Sequence, residues 1–176
     1  PDAGAYYDGV RYGTVAEAIE AGRDSDVIHV QVIGSVRWDL RENSDDDLLD
    51  GIWDGQQVVV LGVEDAVVRF QSNRLSVGGN HFQLQLHGDL RFGSVTLNMA
   101  DYNCSNFFAN GYELQTDADV ATSGNHLKIY GGAENADVAQ TSLKLYGGTF
   151  TRVFGGGKNG DVTGNASVVF GGVTLT

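Results

Sequence analysis

The chain has 176 residues, including 25 glycines, one proline and one cysteine, and its formal net charge at pH 7 is −12. With 41% hydrophobic residues it can build one sizeable core, so the composition excludes a disordered chain, and the single cysteine excludes an intramolecular disulfide. The excess of acids disfavours nucleic acids and anionic membranes as partners, and no apolar run reaches the roughly 18 residues needed for membrane insertion.

Residues 1–26 are predicted to form a hairpin followed by one helix. The Asp8-Gly9 pair lies between two short aromatic and β-branched runs, which is typical of a hairpin turn. Thr14 and Glu17 have the spacing of a helix capping box, and Gly22 marks the end of the helix. The apolar residues between them fall on one narrow face, so we expect this face to pack against the rest of the molecule.

Short strands are predicted for most of the remaining chain, residues 27–176. The first is a β-branched run from Val27 to Ile33. Further strands, several of them alternating apolar and polar residues between turns rich in glycine and asparagine, are predicted at 57–62, 67–70, 82–88, 90–93 and 95–99. An acidic loop, residues 39–55, interrupts these strands.

The C-terminal third of the chain repeats itself. The sequence LKIYGG at 127–132 recurs as LKLYGG at 143–148, and degenerate forms follow at 152–157 and 168–172. Tyr130 and Phe154 are 24 residues apart, as are Tyr146 and Phe170. We therefore predict a repeat of about 24 residues with two aromatic-Gly-Gly corners, a period that indicates a solenoid.

The repeat favours a β-solenoid over a helical array. Strands of about five residues cannot bury a face alone, but stacked about 4.8 Å apart they pair in parallel and share one core. Proline would remove a hydrogen-bond donor from such a ladder, which agrees with the single proline. We expect the repeated aromatics to form a stacked internal ladder. Polar residues near the corners can adopt left-handed conformations and bond their neighbours above and below: Asn135, Asp137, Asn159, Asp161 and Asn165.

Residues 12–30, with the sequence YGTVAEAIEAGRDSDVIHV, resemble the N-terminal cap of right-handed parallel β-helices of the pectin-lyase-like superfamily. Residues 107–114 and 147–165 are similar to β-helix segments of large secreted or wall-anchored proteins of Gram-positive gut bacteria. The resemblance implies an all-β fold, a right-handed parallel β-helix with an N-terminal capping helix, in a secreted or cell-surface bacterial protein. Because the chain stops within an apolar alternation, we expect it to be truncated from a longer protein.

Active members of that superfamily are often polysaccharide lyases or hydrolases. The resemblance would imply either a calcium ion held by aspartates with a catalytic arginine or lysine, or two or three converging aspartates. This chain departs from both patterns, since Arg69, Arg74 and Arg91 are scattered singly and no set of aspartates recurs on successive rungs. We therefore predict no catalytic residue and no required cofactor.

Two candidate sites lie in or beside the acidic loop. The cluster Asp45-Asp46-Asp47 is either a weak calcium site or, because adjacent carboxylates point apart, a solvated loop or helix start. Trp38 and Trp53 flank the loop, with aspartates beside them at Asp50 and Asp54. Flat rings beside carboxylates can bind sugars, but tryptophans in this position can also pack the loop onto the β-helix.

We expect a non-catalytic extracellular module that acts as a rigid stalk or adhesin-like surface segment. Its partners would be host or microbial glycans or proteins, without nucleic acid. The alternatives are a polysaccharide-active lyase or hydrolase domain and a carbohydrate-binding module. The sequence leaves the oligomeric state open.

Overall fold

The structure is a computed structural model that describes residues 1–40, 53–72, 81–100, 104–124 and 127–176. These residues contain one helix, α1 (Val15–Ala21), and eighteen strands. The strands are β1 (Gly4–Tyr7), β2 (Val10–Tyr12), β3 (Val27–Ile33), β4 (Ser35–Leu40), β5 (Gln57–Gly62), β6 (Val67–Ser72), β7 (His81–Gln85), β8 (Leu90–Gly93), β9 (Thr96–Asn98), β10 (Cys104–Phe108), β11 (Glu113–Thr116), β12 (Ala121–Ser123), β13 (Leu127–Tyr130), β14 (Thr141–Leu145), β15 (Thr149–Phe150), β16 (Arg152–Phe154), β17 (Ala166–Phe170) and β18 (Thr174–Leu175).

The predicted hairpin and capping helix are both present. Strands β1 and β2 pair antiparallel around Asp8 and Gly9, whose φ angles are 49° and 76°. The Glu17 N–H donates to the Thr14 hydroxyl at 3.1 Å and the Thr14 N–H donates to the Glu17 carboxylate at 3.2 Å, so the capping box is complete. The apolar face of α1, including Ile19, is buried in the core. In the described part of the chain, no helix has the length and apolarity required to cross a membrane.

The strands stack into a parallel β-helix with three faces. The first face is an eight-stranded sheet in the order β17-β14-β11-β8-β5-β3-β1-β2, in which β3 and all the strands stacked on it up to β17 are parallel. The second and third faces are four-stranded parallel sheets, β16-β13-β10-β7 and β12-β9-β6-β4. Strands β15 and β18 form a short pair beyond β12. Sequence neighbours thus lie on different faces, and hydrogen bonds join successive turns.

The predicted repeat of 24 residues describes the last turns with one correction. Lys128 pairs with Arg152 at an offset of 24, whereas Thr141 pairs with Ala166 at an offset of 25. One extra residue therefore lies between the bridge that pairs Val138 with Val162 and the start of β17. Because a slip of one residue turns a side chain to the other face, Phe170 aligns with the inward-facing Leu145 instead of Tyr146.

Aromatic rings fill the centre of the core. Phe70 stacks on Trp38 at a centroid distance of 5.4 Å and meets Phe107 and Phe92 edge-on at 5.5 and 6.4 Å. All four side chains are at most 2% exposed. They come from successive turns of all three faces, so side-chain packing as well as backbone hydrogen bonds joins one turn to the next.

A second aromatic ladder runs along the outside of this core. Phe108 stacks on Tyr130 at 4.8 Å, and Tyr130 stacks on Phe154 at 4.6 Å. These rings alternate along their strands with the core residues Phe107 and Ile129, so they point to the opposite side of the sheet. The predicted stacking of Tyr130 and Phe154 is confirmed, but the ladder is not part of the central core.

The polar corner residues also form ladders. The Asn159 side-chain amide donates to the Asn135 side-chain oxygen Oδ1 at 2.9 Å, and the Asp161 N–H donates to the Asp137 carboxylate at 2.9 Å. These bonds confirm the predicted contacts between turns. The five corner residues make these contacts without left-handed backbone, because the described non-glycine residues with positive φ are Asp8, Asp65, Ser94 and Asn110.

Truncation of Phe70 tests the central packing. Phe70→Ala removes a ring that contacts three other aromatic rings, so we expect a loss of about 3–5 kcal/mol in the free energy of unfolding. Val10, which is 54% exposed, gives the control. Val10→Ala should change stability by about 0.5 kcal/mol or less. Urea unfolding monitored by circular dichroism measures the stability of both variants. Equally small losses of stability in the two variants would contradict this view of the core.

Candidate functional site

The structure buries both tryptophans of the predicted sugar platform. Trp38 and Trp53 are 0% exposed, so neither ring offers a face to a ligand in solution. Their interpretation as a sugar-binding surface is therefore corrected. Trp38 belongs to the aromatic core, and the Trp53 indole donates to the Gln56 carbonyl oxygen at 2.7 Å. Both rings therefore lie in the interior of the described structure. Asp54 is exposed, whereas Asp45, Asp46, Asp47 and Asp50 lie outside the described residues.

An open groove lies instead at the corner that leads into the eight-stranded sheet. Its volume is about 610 Å³. It is formed by the turn between β10 and β11, the segment before β14 and the residue before β8. The lining combines an exposed aromatic ring, carboxylates, amides and a hydroxyl, and it includes Asp89, Asn110, Tyr112, Glu113, Asp137, Gln140 and Ser142.

The turn that presents Tyr112 is fixed by its sequence. Asn110 and Gly111 have φ angles of 54° and 84°, and the Tyr112 N–H closes the turn on the Ala109 carbonyl oxygen at 2.9 Å. The Asn110 amide donates to the Gln85 side chain at 3.0 Å and to the backbone of the previous turn. A Cβ at Gly111 would lie 3.0 Å from the backbone of the neighbouring turn, so glycine is favoured there for space as well as for φ.

A polar column supports one wall of the groove. The Glu113 N–H donates to the Asp89 carboxylate at 2.8 Å, and the Glu113 carboxylate pairs with Lys144 at 2.9 Å. The Ser142 hydroxyl donates to the same carboxylate at 3.2 Å. Hydrogen bonding to Glu113 raises the pKa of Lys144, which favours its charged form. The column joins three successive turns of the β-helix through polar contacts.

The groove has the composition of a shallow polar-ligand site. Tyr112 is 38% exposed, and Asp89, Asp137 and Gln140 line the same groove. A ring face can pack against the C–H face of a sugar, while carboxylates and amides can accept or donate hydrogen bonds to its hydroxyls. These are the chemical groups with which proteins bind neutral saccharides.

Sequence reasoning did not single out Tyr112. The signal was the Asn110-Gly111 pair, which predicts a turn and so an exposed position for the residue that follows it. The second wall, at 137–142, comes from the next turn of the β-helix, 25 or more residues further along the chain. No local spacing places these two segments side by side.

A separate ionic clamp lies on the outer side of β8 and β11. The Arg91 guanidinium binds the Asp117 carboxylate through two nitrogens, at 3.0 and 2.8 Å. Hydrogen bonds from Arg91 lower the pKa of Asp117, and hydrogen bonds from Ser94 lower the pKa of Asp119. Both carboxyl groups are therefore ionised near neutral pH, which suits a structural clamp better than proton donation. Arg91 lies on β8 and Asp117 directly after β11, so the clamp joins two successive turns.

In the described ranges, no three or more histidine, cysteine, aspartate or glutamate side chains come close enough together to hold a metal ion. The predicted calcium cluster at 45–47 is outside those ranges. Calcium binding there stays a prediction.

No protein-family model matches this chain, and comparison with curated proteins and with solved structures also gave no match.

Acid unfolding tests the ionic clamp. Because the folded-state pKa of Asp117 is lowered, the clamp stabilises the fold above the ordinary aspartate pKa of about 4 and this contribution is lost as the pH falls below it. Asp117→Asn should lower stability at pH 7 by about 1 kcal/mol or less, since the pair is partly exposed, and should flatten the decline below pH 4. Urea unfolding between pH 2 and 7 measures both effects. The exposed residue Asp24, replaced by asparagine, is the control, and the same profile in both variants would contradict the clamp.

Proposed function

We propose that this chain is a non-catalytic extracellular β-helix module that works as a rigid stalk or adhesin-like segment of a bacterial surface protein. We propose further that the groove beside Tyr112 contacts glycans. The pectin-lyase-like resemblance of the sequence is the basis for the bacterial surface location and for the right-handed sense of the helix. The stacking of parallel strands in matched register is the observation that supports the role of a stalk.

The stacking supports a mechanical role. Six parallel strands of the first face, from β3 to β17, make five spacings, which at about 4.8 Å each correspond to a length of about 24 Å. Every interior strand of this face is hydrogen-bonded on both sides. Each added turn lengthens the rod without changing its cross-section, so such a fold suits a spacer that holds other segments at a distance.

The groove supports a contact with saccharides in preference to chemistry on them. Its carboxylates lie beside an exposed ring, and Glu113 is engaged by Lys144 and Ser142. Asp117 and Asp119, whose pKa values are lowered, belong to the ionic clamp and lie outside the lining of the groove.

Glycan binding with and without the Tyr112 ring tests this proposal. We expect the full chain to bind at least one neutral glycan on an array, and Tyr112→Ala to weaken that binding by about 2- to 13-fold, the equivalent of 0.5–1.5 kcal/mol for one aromatic contact. Tyr112→Phe keeps the ring and should retain most of the affinity.

Phe154 provides the matched control, because it is exposed to a similar extent, 36% against 38%, and lies outside the groove. Phe154→Ala should leave glycan binding unchanged. Binding that is insensitive to Tyr112→Ala, or no binding at all, would contradict the groove. Release of unsaturated or reducing products from pectate or other polysaccharides, with or without calcium, would contradict the non-catalytic stalk.

A further inference from the structure

The groove beside Tyr112 lies at a step in the outline of the β-helix. The connections that lead into β8 and β11 hold four residues each, 86–89 and 109–112, whereas the connection into β14 on the next turn holds ten, 131–140. The longer loop extends past the two short connections, and the groove lies along this step. Backbone hydrogen bonds to residues 158–163 of the following turn hold the loop in place. The groove is therefore a feature of the interior of the stack, with described turns on both sides of it.

The groove is acidic. Its lining includes the carboxylates of Asp89, Glu113 and Asp137, and among the described residues that line it there is no lysine, arginine or histidine. The nearest base is Lys144, which pairs with Glu113 at 2.9 Å from outside the lining. Three acids against this one base leave an excess of two negative charges. A ligand of the groove therefore meets a negative potential.

Asp89 and Asp137 keep acceptor positions for a ligand. The Asp89 carboxylate accepts the Glu113 N–H at 2.8 Å, and the Asp137 carboxylate accepts the Asp161 N–H at 2.9 Å, in both cases through Oδ1. Neither forms an ion pair with a base of the described chain. A carboxylate offers about four lone-pair positions, so one backbone bond leaves most of them unused. Both residues are exposed, so a ligand can reach them from solution.

These acids suit an ammonium group better than a metal ion or an acidic sugar. In the described ranges no three acidic, histidine or cysteine side chains converge on one point, so the carboxylates act singly. An ammonium group has three N–H donors, can pair with a single carboxylate, and is attracted to the face of an aromatic ring such as Tyr112. A sugar that carries a carboxylate would instead be repelled by Asp89 and Asp137.

We propose that the saccharide held in this groove is an amino sugar with free, protonated amino groups. Tyr112 and the amide of Gln140 contact the sugar ring and its hydroxyls, and Asp89 and Asp137 bind the ammonium groups. The volume of about 610 Å³ is that of a site for a ligand larger than a single ion. The net charge of −12 draws a cationic polymer toward the whole chain. The inference rests on the proposed glycan contact and adds the charge of the glycan to it.

Two oligosaccharides that differ only in their amino groups test the proposal. Calorimetric titration of the full chain at mildly acidic pH compares a chitin oligosaccharide, whose amines are acetylated and neutral, with the chitosan oligosaccharide of the same length, whose amines are charged. Chitosan should bind about 2- to 30-fold more tightly, the effect of two exposed ion pairs. This preference should shrink as salt is added, because exposed charges are screened.

Neutral variants of the two acids locate the effect. The double substitution Asp89→Asn and Asp137→Asn keeps a side-chain oxygen for each backbone bond, so the turns should stay in place while the preference for chitosan is lost. The matched control, Asp24→Asn with Glu64→Gln, removes the same charge at exposed positions outside the groove and should keep the preference. Tyr112→Ala should weaken the binding of chitosan and of any neutral glycan that the groove holds.

The outcomes separate this inference from the proposed function. Equal affinity for the two oligosaccharides, a preference for chitin, or no binding of either would overturn the amino sugar. The glycan contact would still stand if Tyr112→Ala weakened the binding of a neutral glycan. An equal loss of chitosan binding in the control variant would also overturn the inference, because it indicates attraction to overall charge. So would equally tight binding of a lysine oligomer of the same charge, which indicates a basic peptide as the ligand.

Discussion

Parallel hydrogen bonding between successive turns is the constraint on which this structure depends. Each interior strand lies between two others from different parts of the sequence, so its backbone groups are satisfied only when the register with both neighbours is right. Core packing follows from that register, because it brings Phe70 against Trp38 and Phe107. The external ladder, the Arg91–Asp117 clamp and the groove wall are further side-chain contacts between turns that the same register aligns.

The fold was largely predictable from local patterns. The capping box at Thr14 and Glu17, the hairpin at Asp8-Gly9 and strands such as 57–62 and 90–93 are properties of short segments, and all are present. The exact register was not predictable. A single inserted residue between Val162 and Ala166 shifts β17 and turns Phe170 inward, and only the pairing partners reveal this.

The candidate site was less predictable than the fold because it also depends on the register between turns. Trp38 and Trp53, which lie beside aspartates in the sequence, are buried in the structure. Large apolar rings stabilise the core most when they are buried. Tyr112 is left outside by a turn whose geometry is local, but the groove beside it exists only because the segment at 137–142 belongs to the next turn. In a solenoid, surfaces that bind a ligand are built across turns, so a site is visible in the sequence only once the register is known.

Disulfide trapping between turns is the most direct test of the register. Gln115 and Lys144 are opposite each other on β11 and β14, at an offset of 29 residues that the 24-residue repeat does not predict. In a Cys104→Ser background, the double substitution Gln115→Cys and Lys144→Cys should form an intramolecular disulfide rapidly under mild oxidation, since adjacent strands lie within bonding distance. The pair Gln115→Cys and Ser142→Cys, shifted by two residues and separated by about 8 Å, should remain reduced. Efficient bonding of the shifted pair with none in the first would contradict the stacked register on which the account rests.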